Sequence, residues 1–227
     1  MSLKAPAATR LRTTTSVATE IRPPASPDWW LMVRKFARHG TSIASFAPSS
    51  RFLSRKIVNG IDYDKAQCIV ELGAGTGPIT KELLARVKPH TRVIILELDP
   101  DFCVRLRARF PSAEIVEGDA CKLDELLAAR GIHQADHVIS GLPLPSFPVA
   151  LRDGVIASAA KVLGSEGTFR QLSVMPWVYK HIYTSYFEEV KFRFVPLNLP
   201  PAGVYVCKHY KSTNSDTVVE AKLNPRG

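Results

Sequence analysis

Three glycines at alternate positions form the segment of this sequence with the clearest chemistry. The segment reads Cys68-Ile-Val-Glu-Leu-Gly-Ala-Gly-Thr-Gly77, an apolar stretch that runs into Gly73, Gly75 and Gly77 before a helical pattern begins. Glycine permits a tight turn and lets a ligand approach the backbone closely. The N-terminus of the helix that follows offers free N–H groups to an anionic group. The pattern predicts a ligand-binding turn, although its G-x-G-x-G spacing differs from the dinucleotide fingerprint G-x-G-x-x-G.

Acidic residues stand at three successive places where a strand is predicted to end. Glu71 precedes the glycines, Glu97 ends the next strand, and Asp119 follows the third strand within Glu117-Gly-Asp-Ala120. From these positions Glu71 could accept from a ligand ammonium, Glu97 from both hydroxyls of a ribose, and Asp119 from an adenine amino group. One such carboxylate would be an ordinary solvated side chain. Three beside a glycine turn indicate a single binding site.

The rest of the pattern alternates short apolar strands with helices. Strands are predicted at 68–72, 92–97, 113–117, 136–140, 167–174, about 188–195 and 203–208, and helices at about 50–60, 77–87, 100–109, 122–130, 148–163 and 177–185. Repeated strand–helix units predict an α/β fold with a mostly parallel sheet covered on both faces. The last two strands follow one another without a helix, which predicts an antiparallel edge.

Positive charge is concentrated near the N-terminus. Of the net +9, residues 1–60 hold ten Lys and Arg against two acids, and residues 61–227 hold twenty against nineteen. A basic segment of this kind is typical of proteins that bind phosphate groups, on nucleic acid or on anionic lipid. We expect a flexible basic tail at 1–27, favoured over a targeting peptide, amphipathic helices at 28–60, a folded domain at 61–210 and a polar tail at 211–227.

A short amphipathic helix is predicted within this basic region at 28–39. Its apolar face carries Trp29, Trp30 and Phe36, and its other face carries Arg34, Lys35 and Arg38. This composition is typical of an interfacial membrane anchor, and an ordinary helix packed on the domain remains the alternative. No apolar run reaches the ~18–20 residues that cross a bilayer. Four cysteines without a C-x-x-C pair exclude a zinc ribbon, and we expect reduced thiols and no metal.

At this point the chain resembles the class I methyltransferases that use S-adenosylmethionine, over about residues 46–210. The resemblance rests on the E-L-G-A-G-T-G turn, the L-E-L-D-P strand end and the E-G-D-A element. It implies a Rossmann-like seven-stranded sheet and S-adenosylmethionine as cofactor. Glu97 is then expected to hold the ribose and Asp119 with Ala120 the adenine, while Ser50 closes over the methionine end. The predicted cofactor contacts are Ser50, Glu71, Gly73, Ala74, Gly75, Gly77, Glu97, Leu98, Asp119, Ala120 and Ser140.

The acceptor is predicted from the segment that follows the fourth strand, Ser140-Gly141-Leu142-Pro143-Leu144. Related amine methyltransferases carry Asn/Asp-Pro-Pro-Tyr or Asn-Leu-Pro-Tyr here, and their aromatic ring stacks on a planar base. Leu144 removes that ring, and a stacked base would lose about 1–3 kcal/mol. The Gly-Leu-Pro-Leu form resembles bacterial phospholipid N-methyltransferases. That resemblance implies methylation of phosphatidylethanolamine toward phosphatidylcholine by a cytoplasmic protein bound peripherally to the inner membrane face through residues 28–39.

The acceptor side is predicted to use Gly141, Leu142, Tyr179, His181 and Tyr183. Tyr179, Tyr183 and Tyr186 recur at helical spacing, so an equally good interpretation is a stripe of core residues. An rRNA adenine dimethyltransferase is the alternative function, disfavoured by Leu144 and by the lack of a helical RNA-binding domain after residue 210, and we expect no nucleic-acid partner. A third hypothesis is a silent lipid- or nucleic-acid-binding module. The sequence leaves the number of methyl transfers and the oligomeric state open.

Overall fold

The computed structural model describes residues 48–174, 176–196 and 201–211. The helices are α1 (Pro48–Val58), α2 (Pro78–Leu84), α3 (Pro100–Arg109), α4 (Leu123–Ala128), α5 (Val149–Val162) and α6 (Pro176–Tyr186). The strands are β1 (Cys68–Leu72), β2 (Arg92–Glu97), β3 (Glu114–Glu117), β4 (Ala135–Ser140), β5 (Leu163–Val174), β6 (Phe187–Val195) and β7 (Ala202–Tyr210). The tail at 1–27 and the predicted membrane helix at 28–39 lie outside the described residues.

The strands form one sheet in the order β3-β2-β1-β4-β5-β7-β6. The pairs among β1 to β5 are parallel, whereas β7 runs antiparallel to both β5 and β6. The predicted mostly parallel sheet with an antiparallel edge is therefore confirmed. Chain order reverses between β1 and β4, and open α/β sheets bind ligands beyond the carboxyl ends of strands at such a switch point.

The sheet is covered on both faces, as predicted. One face, here called the α5 face, carries Val70, Val138 and Phe169 and packs against α4, α5 and α6. The opposite face, here called the α1 face, carries Ile69 and Ile95 and packs against α1, α2 and α3. Among the described helices, none is long and apolar enough to cross a bilayer. All four cysteines are free thiols.

Several predicted bounds shift by a few residues for local reasons. Helix α2 begins at Pro78 because Gly77 has a left-handed backbone and proline is favoured in the first helical turn. By contrast, helix α3 begins at Pro100 as predicted, directly after Asp99, whose carboxylate accepts a hydrogen bond from the backbone N–H of Asp101. Strand β5 begins at Leu163 rather than at 167, because α5 passes into it without a loop.

A buried arginine ties α1 to the sheet. Arg170, in β5, is 2% exposed, and its guanidinium donates to the carbonyl oxygens of Ile57 (2.9 Å), Asn59 (2.8 Å) and Gly60 (3.1 Å). Because these carbonyls end α1 and the turn after it, the cation also complements the helix dipole. Burial lowers the pKa of Arg170 to about 10, with the Arg193 cation as a smaller cause.

Replacing this guanidinium is expected to loosen α1. Arg170→Met keeps the apolar part of the side chain but removes the guanidinium donor of the Ile57 and Gly60 carbonyls and one of two donors to Asn59, so we expect the free energy of unfolding to fall by about 2–4 kcal/mol. Urea unfolding followed by circular dichroism measures the change.

Arg193→Met is the matched control, because Arg193 also donates to the Asn59 carbonyl (3.0 Å) but from a more exposed position. We expect it to cost less than about 1 kcal/mol. Equal losses in the two variants would mean that burial of Arg170 does not anchor the helix.

Candidate cofactor and acceptor site

The glycine turn adopts a backbone that other residues tolerate poorly. Gly73, Gly75 and Gly77 have φ values of 69°, 55° and 79°. A Cβ on Gly73 would lie 2.4 Å from Leu142 Cδ2, and one on Gly77 would lie 2.6 Å from Phe110 Cε2. A Cβ on Gly75 would meet no atom within 4 Å. The turn is therefore packed at both ends and open at its middle, as a cradle for a ligand requires.

Glu97 holds this turn to the end of β2. Its Oε2 accepts from the backbone N–H of Gly75 (2.7 Å), and its Oε1 accepts from those of Leu98 (2.8 Å) and Asp99 (3.0 Å). The side chain is only 6% exposed. A carboxylate offers about four acceptor positions. Three are thus occupied by backbone, and a ribose that uses both oxygens would have to displace one of these bonds.

A second side chain secures the same turn from α3. Arg109 donates to the carbonyl oxygen of Thr76 (2.7 Å), and its guanidinium lies 5.1 Å from the centre of the Phe110 ring. Sequence reasoning missed this contact, because nothing in the helical pattern of α3 marks Arg109 apart from its neighbouring arginines.

Glu71 is a fully buried acid on the α1 face with one oxygen unused. Its Oε2 accepts from the Thr80 hydroxyl (2.9 Å), whereas no described residue donates to Oε1. Burial raises the pKa of Glu71 to about 8; the Thr80 hydrogen bond lowers it and the Glu97 carboxylate raises it. A buried carboxylate oxygen without a donor is costly unless a ligand supplies one. The position therefore fits the ammonium group of S-adenosylmethionine.

Asp119 is half-buried beyond the end of β3. Its Oδ1 accepts from the Cys121 backbone N–H (2.9 Å) and caps the short helical turn Ala120–Lys122. The Cys121 thiol also forms a side-chain hydrogen bond with this carboxylate. Ala120 and Leu98 are half-buried beside these acids, Ala74 is buried in the turn, and Ser50 belongs to α1, with its side chain outside the described ones.

The acceptor segment lies directly against the glycine turn. Gly141 donates its N–H to the Leu72 carbonyl (2.9 Å), and a Cβ on Gly141 would lie 3.0 Å from the Gly73 carbonyl oxygen. Ser140 is fully buried, and its Oγ accepts from the Leu142 N–H (3.3 Å). The two motifs that the sequence separates by 64 residues, Gly77 to Gly141, thus form one site.

Gln171 is a site residue that sequence reasoning missed. It lies in β5 beside Ser140, is fully buried, and donates from Nε2 to the carbonyl oxygens of Leu142 (2.7 Å) and Leu172 (2.8 Å). No described residue donates to its Oε1. The available signal was the only side-chain amide in the predicted buried strand 167–174.

The tyrosine stripe of α6 packs inward rather than lining an open rim. Tyr183 is 0% exposed, its ring centre lies 4.5 Å from that of Tyr205, and burial raises its pKa well above the usual range. The predicted acceptor contact of Tyr183 conflicts with this full burial, because the helical spacing places the side chain against β7. The core-stripe alternative describes it better.

The neighbours of Tyr183 in the stripe differ in exposure. Tyr186 is 9% exposed and its hydroxyl bonds the Asp153 carboxylate, with burial raising its pKa to about 12. Tyr179 is half-buried against the core of the α5 face, and His181 is exposed. Tyr179 and His181 keep the access to solvent that an acceptor contact requires.

Comparison with known proteins agrees with this arrangement. Residues 69–167 match the family described as a methyltransferase domain. The chain is 51% identical over 189 residues to an ornithine lipid N-methyltransferase of Singulisphaera acidiphila, covering 82% of this chain and 98% of that protein. It is 34% identical over 94 residues to a ribosomal RNA small subunit methyltransferase A of Mycoplasma mycoides, which covers 40% of this chain and 34% of that enzyme.

A solved structure shares the fold. The 1,6-didemethyltoxoflavin-N1-methyltransferase of Burkholderia thailandensis, solved with S-adenosylhomocysteine, superimposes with a TM-score of 0.58 at 15% identity, over 84% of this chain and 92% of that one. Together with the glycine cradle and the unpartnered Glu71 oxygen, the identity over nearly the whole length of the Singulisphaera protein leads to one conclusion. The chain belongs to the same family as that protein, a family of class I methyltransferases whose cofactor is S-adenosylmethionine.

Proposed function

We propose that this protein methylates the headgroup amine of a membrane lipid. The observation that carries the proposal is the acceptor segment, which contacts the glycine turn and places a buried Leu144 where base methyltransferases have an aromatic ring. A flipped base would find no stacking partner at this position. An aliphatic amine needs none.

Two headgroups are candidates, and we place ornithine lipid first. The relative that is 51% identical over 98% of its length is an ornithine lipid N-methyltransferase, which supports this order. Phosphatidylethanolamine, the acceptor implied by the sequence resemblance, is the second candidate. Both headgroups present an aliphatic primary amine, so the chemistry required at the acceptor segment is the same.

The cofactor is proposed to be held by the acids at the strand ends. Glu71 would accept from its ammonium, Glu97 from its ribose, and Asp119 from its adenine amino group, as the positions of their carboxylates allow. Ser50, Ala74, Leu98, Ala120 and Ser140 would line the same cleft. Bound S-adenosylmethionine supplies a methyl group on a sulfonium, a cation that also disfavours protonation of a nearby amine.

The acceptor side must present an uncharged amine. An alkyl ammonium has an unperturbed pKa near 10, so removing its proton at neutral pH costs about 4 kcal/mol. Partial desolvation in the cleft lowers that cost, and a water can carry the proton away. The carbonyl oxygen of Gly141 is proposed to orient the nitrogen, since that of Leu142 already accepts from Gln171 and from the Leu144 N–H. Tyr179 and His181 are proposed to line the approach of the acceptor.

Membrane contact is proposed to come from residues 28–39, which lie outside the described residues. Their two tryptophans and three basic side chains suit the interface of an anionic leaflet. We therefore propose a peripheral protein of the inner membrane face. Anionic phospholipid in the same vesicles should raise turnover by recruiting the enzyme.

The proposal is tested by comparing acceptors directly. We expect the purified protein to transfer labelled methyl groups to vesicles that contain phosphatidylglycerol and ornithine lipid, with phosphatidylethanolamine as the second acceptor. Unmodified ribosomal RNA should receive no label above background. Thin-layer chromatography of the lipid extract measures transfer.

Vesicles of phosphatidylglycerol alone are the control, since that lipid has no amine. Labelling of RNA that equals or exceeds labelling of both amine lipids would contradict the lipid assignment and favour the rRNA alternative.

Loss of the Glu97 carboxylate is expected to lower the affinity for the cofactor in two ways. Glu97→Ala removes the ribose acceptor and frees the N–H of Gly75, so we expect S-adenosylmethionine affinity to fall by about 1.5–3 kcal/mol. Titration calorimetry measures it.

Glu117→Ala is the matched control, because Glu117 pairs with Glu97 across β2 and β3 but is exposed. We expect the binding free energy of S-adenosylmethionine to change by less than about 0.5 kcal/mol in Glu117→Ala. Comparable losses in both variants would indicate a general electrostatic effect rather than a specific bond.

Cofactor binding is expected to release a proton from Glu71. With a pKa of about 8 the free protein carries this proton at neutral pH, and a bound ammonium favours the carboxylate. Affinity should therefore rise with pH up to about 8, where the cofactor's own amine begins to lose its charge. Calorimetry near pH 6.5, in buffers of different ionisation enthalpy, counts the released protons.

Glu71→Gln should abolish this release while leaving the Thr80 contact possible. A wild-type binding heat that does not depend on the buffer would exclude Glu71 as the group that loses the proton.

A further inference from the structure

Gln171 places an amide in the middle of the sheet at its ligand-binding end. Its Cα pairs with Ser140 on β4 and with Tyr205 on β7. These three neighbours share one face and form a polar row where the sheet otherwise carries apolar side chains. Ser140, one member of this row, is also the first residue of the acceptor segment and is followed by Gly141.

The contacts of the Gln171 amide fix which way it points. Two carbonyl oxygens, of Leu142 and Leu172, lie 2.7 and 2.8 Å from one terminal atom of the side chain. Carbonyls accept and cannot donate, so that atom must be the NH₂ group. The other terminal atom is therefore the oxygen, which is buried and receives no hydrogen bond from any described residue.

An unpaired amide oxygen in a buried position calls for a donor. The NH₂ group of the same amide donates to the carbonyl of Leu142. The Oε1 of Gln171 therefore lies next to the backbone of the acceptor segment, which is proposed to orient the acceptor nitrogen. Related amine methyltransferases carry Asn within their own acceptor motif, and this chain has Gly141 there. A side-chain amide is thus supplied from β5 instead of from the loop.

We propose that Gln171 binds the acceptor amine, with its Oε1 accepting a hydrogen bond from an N–H of the nitrogen that is methylated. The inference deepens the proposed function and rests on it. Gln171 holds the Leu142 carbonyl with one end of the amide and the acceptor with the other. A charged residue at this buried position would be costly, whereas a neutral amide tolerates both the ammonium and the free amine.

The role has a signature in the number of methyl groups on the acceptor. An uncharged primary amine has two N–H groups and a monomethylated amine has one. An uncharged dimethylated amine has none, so it cannot donate to Oε1 when it reacts. The contribution of the Gln171 Oε1 should therefore disappear at the third methyl transfer, whereas loss of the hydrogen bond to the Leu142 carbonyl would affect every transfer alike.

The test compares wild type with Gln171→Met on lipids bearing primary, monomethylated and dimethylated amines, in phosphatidylglycerol vesicles with the headgroup that wild type methylates. We expect kcat/KM to fall about tenfold or more on the first two acceptors. On the third acceptor kcat/KM should fall several-fold less than on the first two, because only the hydrogen bond to the Leu142 carbonyl is then lost. If wild type does not methylate the dimethylated lipid, the reference is the inhibition constant of the trimethylated lipid, which has no N–H. We expect this constant to be the same for wild type and Gln171→Met.

Two further variants test whether the loss of activity in Gln171→Met comes only from a changed shape of the acceptor segment. Gln171→Glu keeps the oxygen but loses the NH₂ group, and it should retain more of the discrimination between acceptors than Gln171→Met. Tyr205→Phe removes the hydroxyl of the residue that pairs with Gln171 on β7, a hydroxyl that also lacks a partner among the described residues. We expect Tyr205→Phe to leave the acceptor pattern unchanged, and unaltered S-adenosylmethionine affinity confirms that each variant is folded.

Equal losses on all three acceptors, or a Tyr205→Phe variant that reproduces the Gln171→Met pattern, would overturn the role of Gln171 alone. Absence of wild-type turnover on every lipid amine would instead overturn the proposed function, and this inference with it.

Discussion

The carboxylate of Glu97 is the group on which the geometry of the site depends. It accepts three backbone hydrogen bonds and joins the middle of the glycine turn to the end of β2. A carboxylate this deeply buried is stable only with donors of this kind, and the left-handed turn stays in one conformation only with an external support. Because Gly73 packs against Leu142, the position of the turn also sets that of the acceptor segment.

Polar groups on the two faces of the sheet serve different parts of the site. On the α1 face, Arg170 holds the end of α1, and Glu71 has one oxygen to which no described residue donates. On the α5 face, Ser140 and Gln171 hold the acceptor segment by its Leu142 backbone. We therefore propose that the cofactor and the acceptor meet at this edge of the sheet from opposite faces. Each of these buried polar groups reduces what the core contributes to stability.

Sequence reasoning reached the fold and the cofactor turn because both depend on local signals. Apolar periodicity marks strands and helices, and glycine at alternate positions marks a backbone with positive φ. The support given by Glu97 to Gly75, and the contact from Gln171 to Leu142, join residues 22 and 29 positions apart. Arg170 reaches Ile57 across 113 positions. No local pattern encodes which partner such side chains find once the strands are side by side.

For Tyr183, sequence reasoning predicted a functional contact where the structure has a core residue. Its spacing from Tyr179 and Tyr186 correctly places the three residues on one helical face, but periodicity alone does not say whether that face meets solvent or the sheet. In the structure the face meets β7, and the Tyr183 ring packs against Tyr205. We therefore propose the Gln171 amide in β5, and not Tyr183, as the acceptor contact.

The lipid composition of living cells tests the central claim most directly. The chain would be expressed in a bacterial host that makes ornithine lipid and phosphatidylethanolamine but has no lipid N-methyltransferase of its own, with Glu97→Ala as the inactive reference. The account predicts lipids that are heavier by whole methyl groups at the headgroup amine, in cells with the wild-type chain only. An unchanged lipid profile beside newly dimethylated adenines in ribosomal RNA would contradict it.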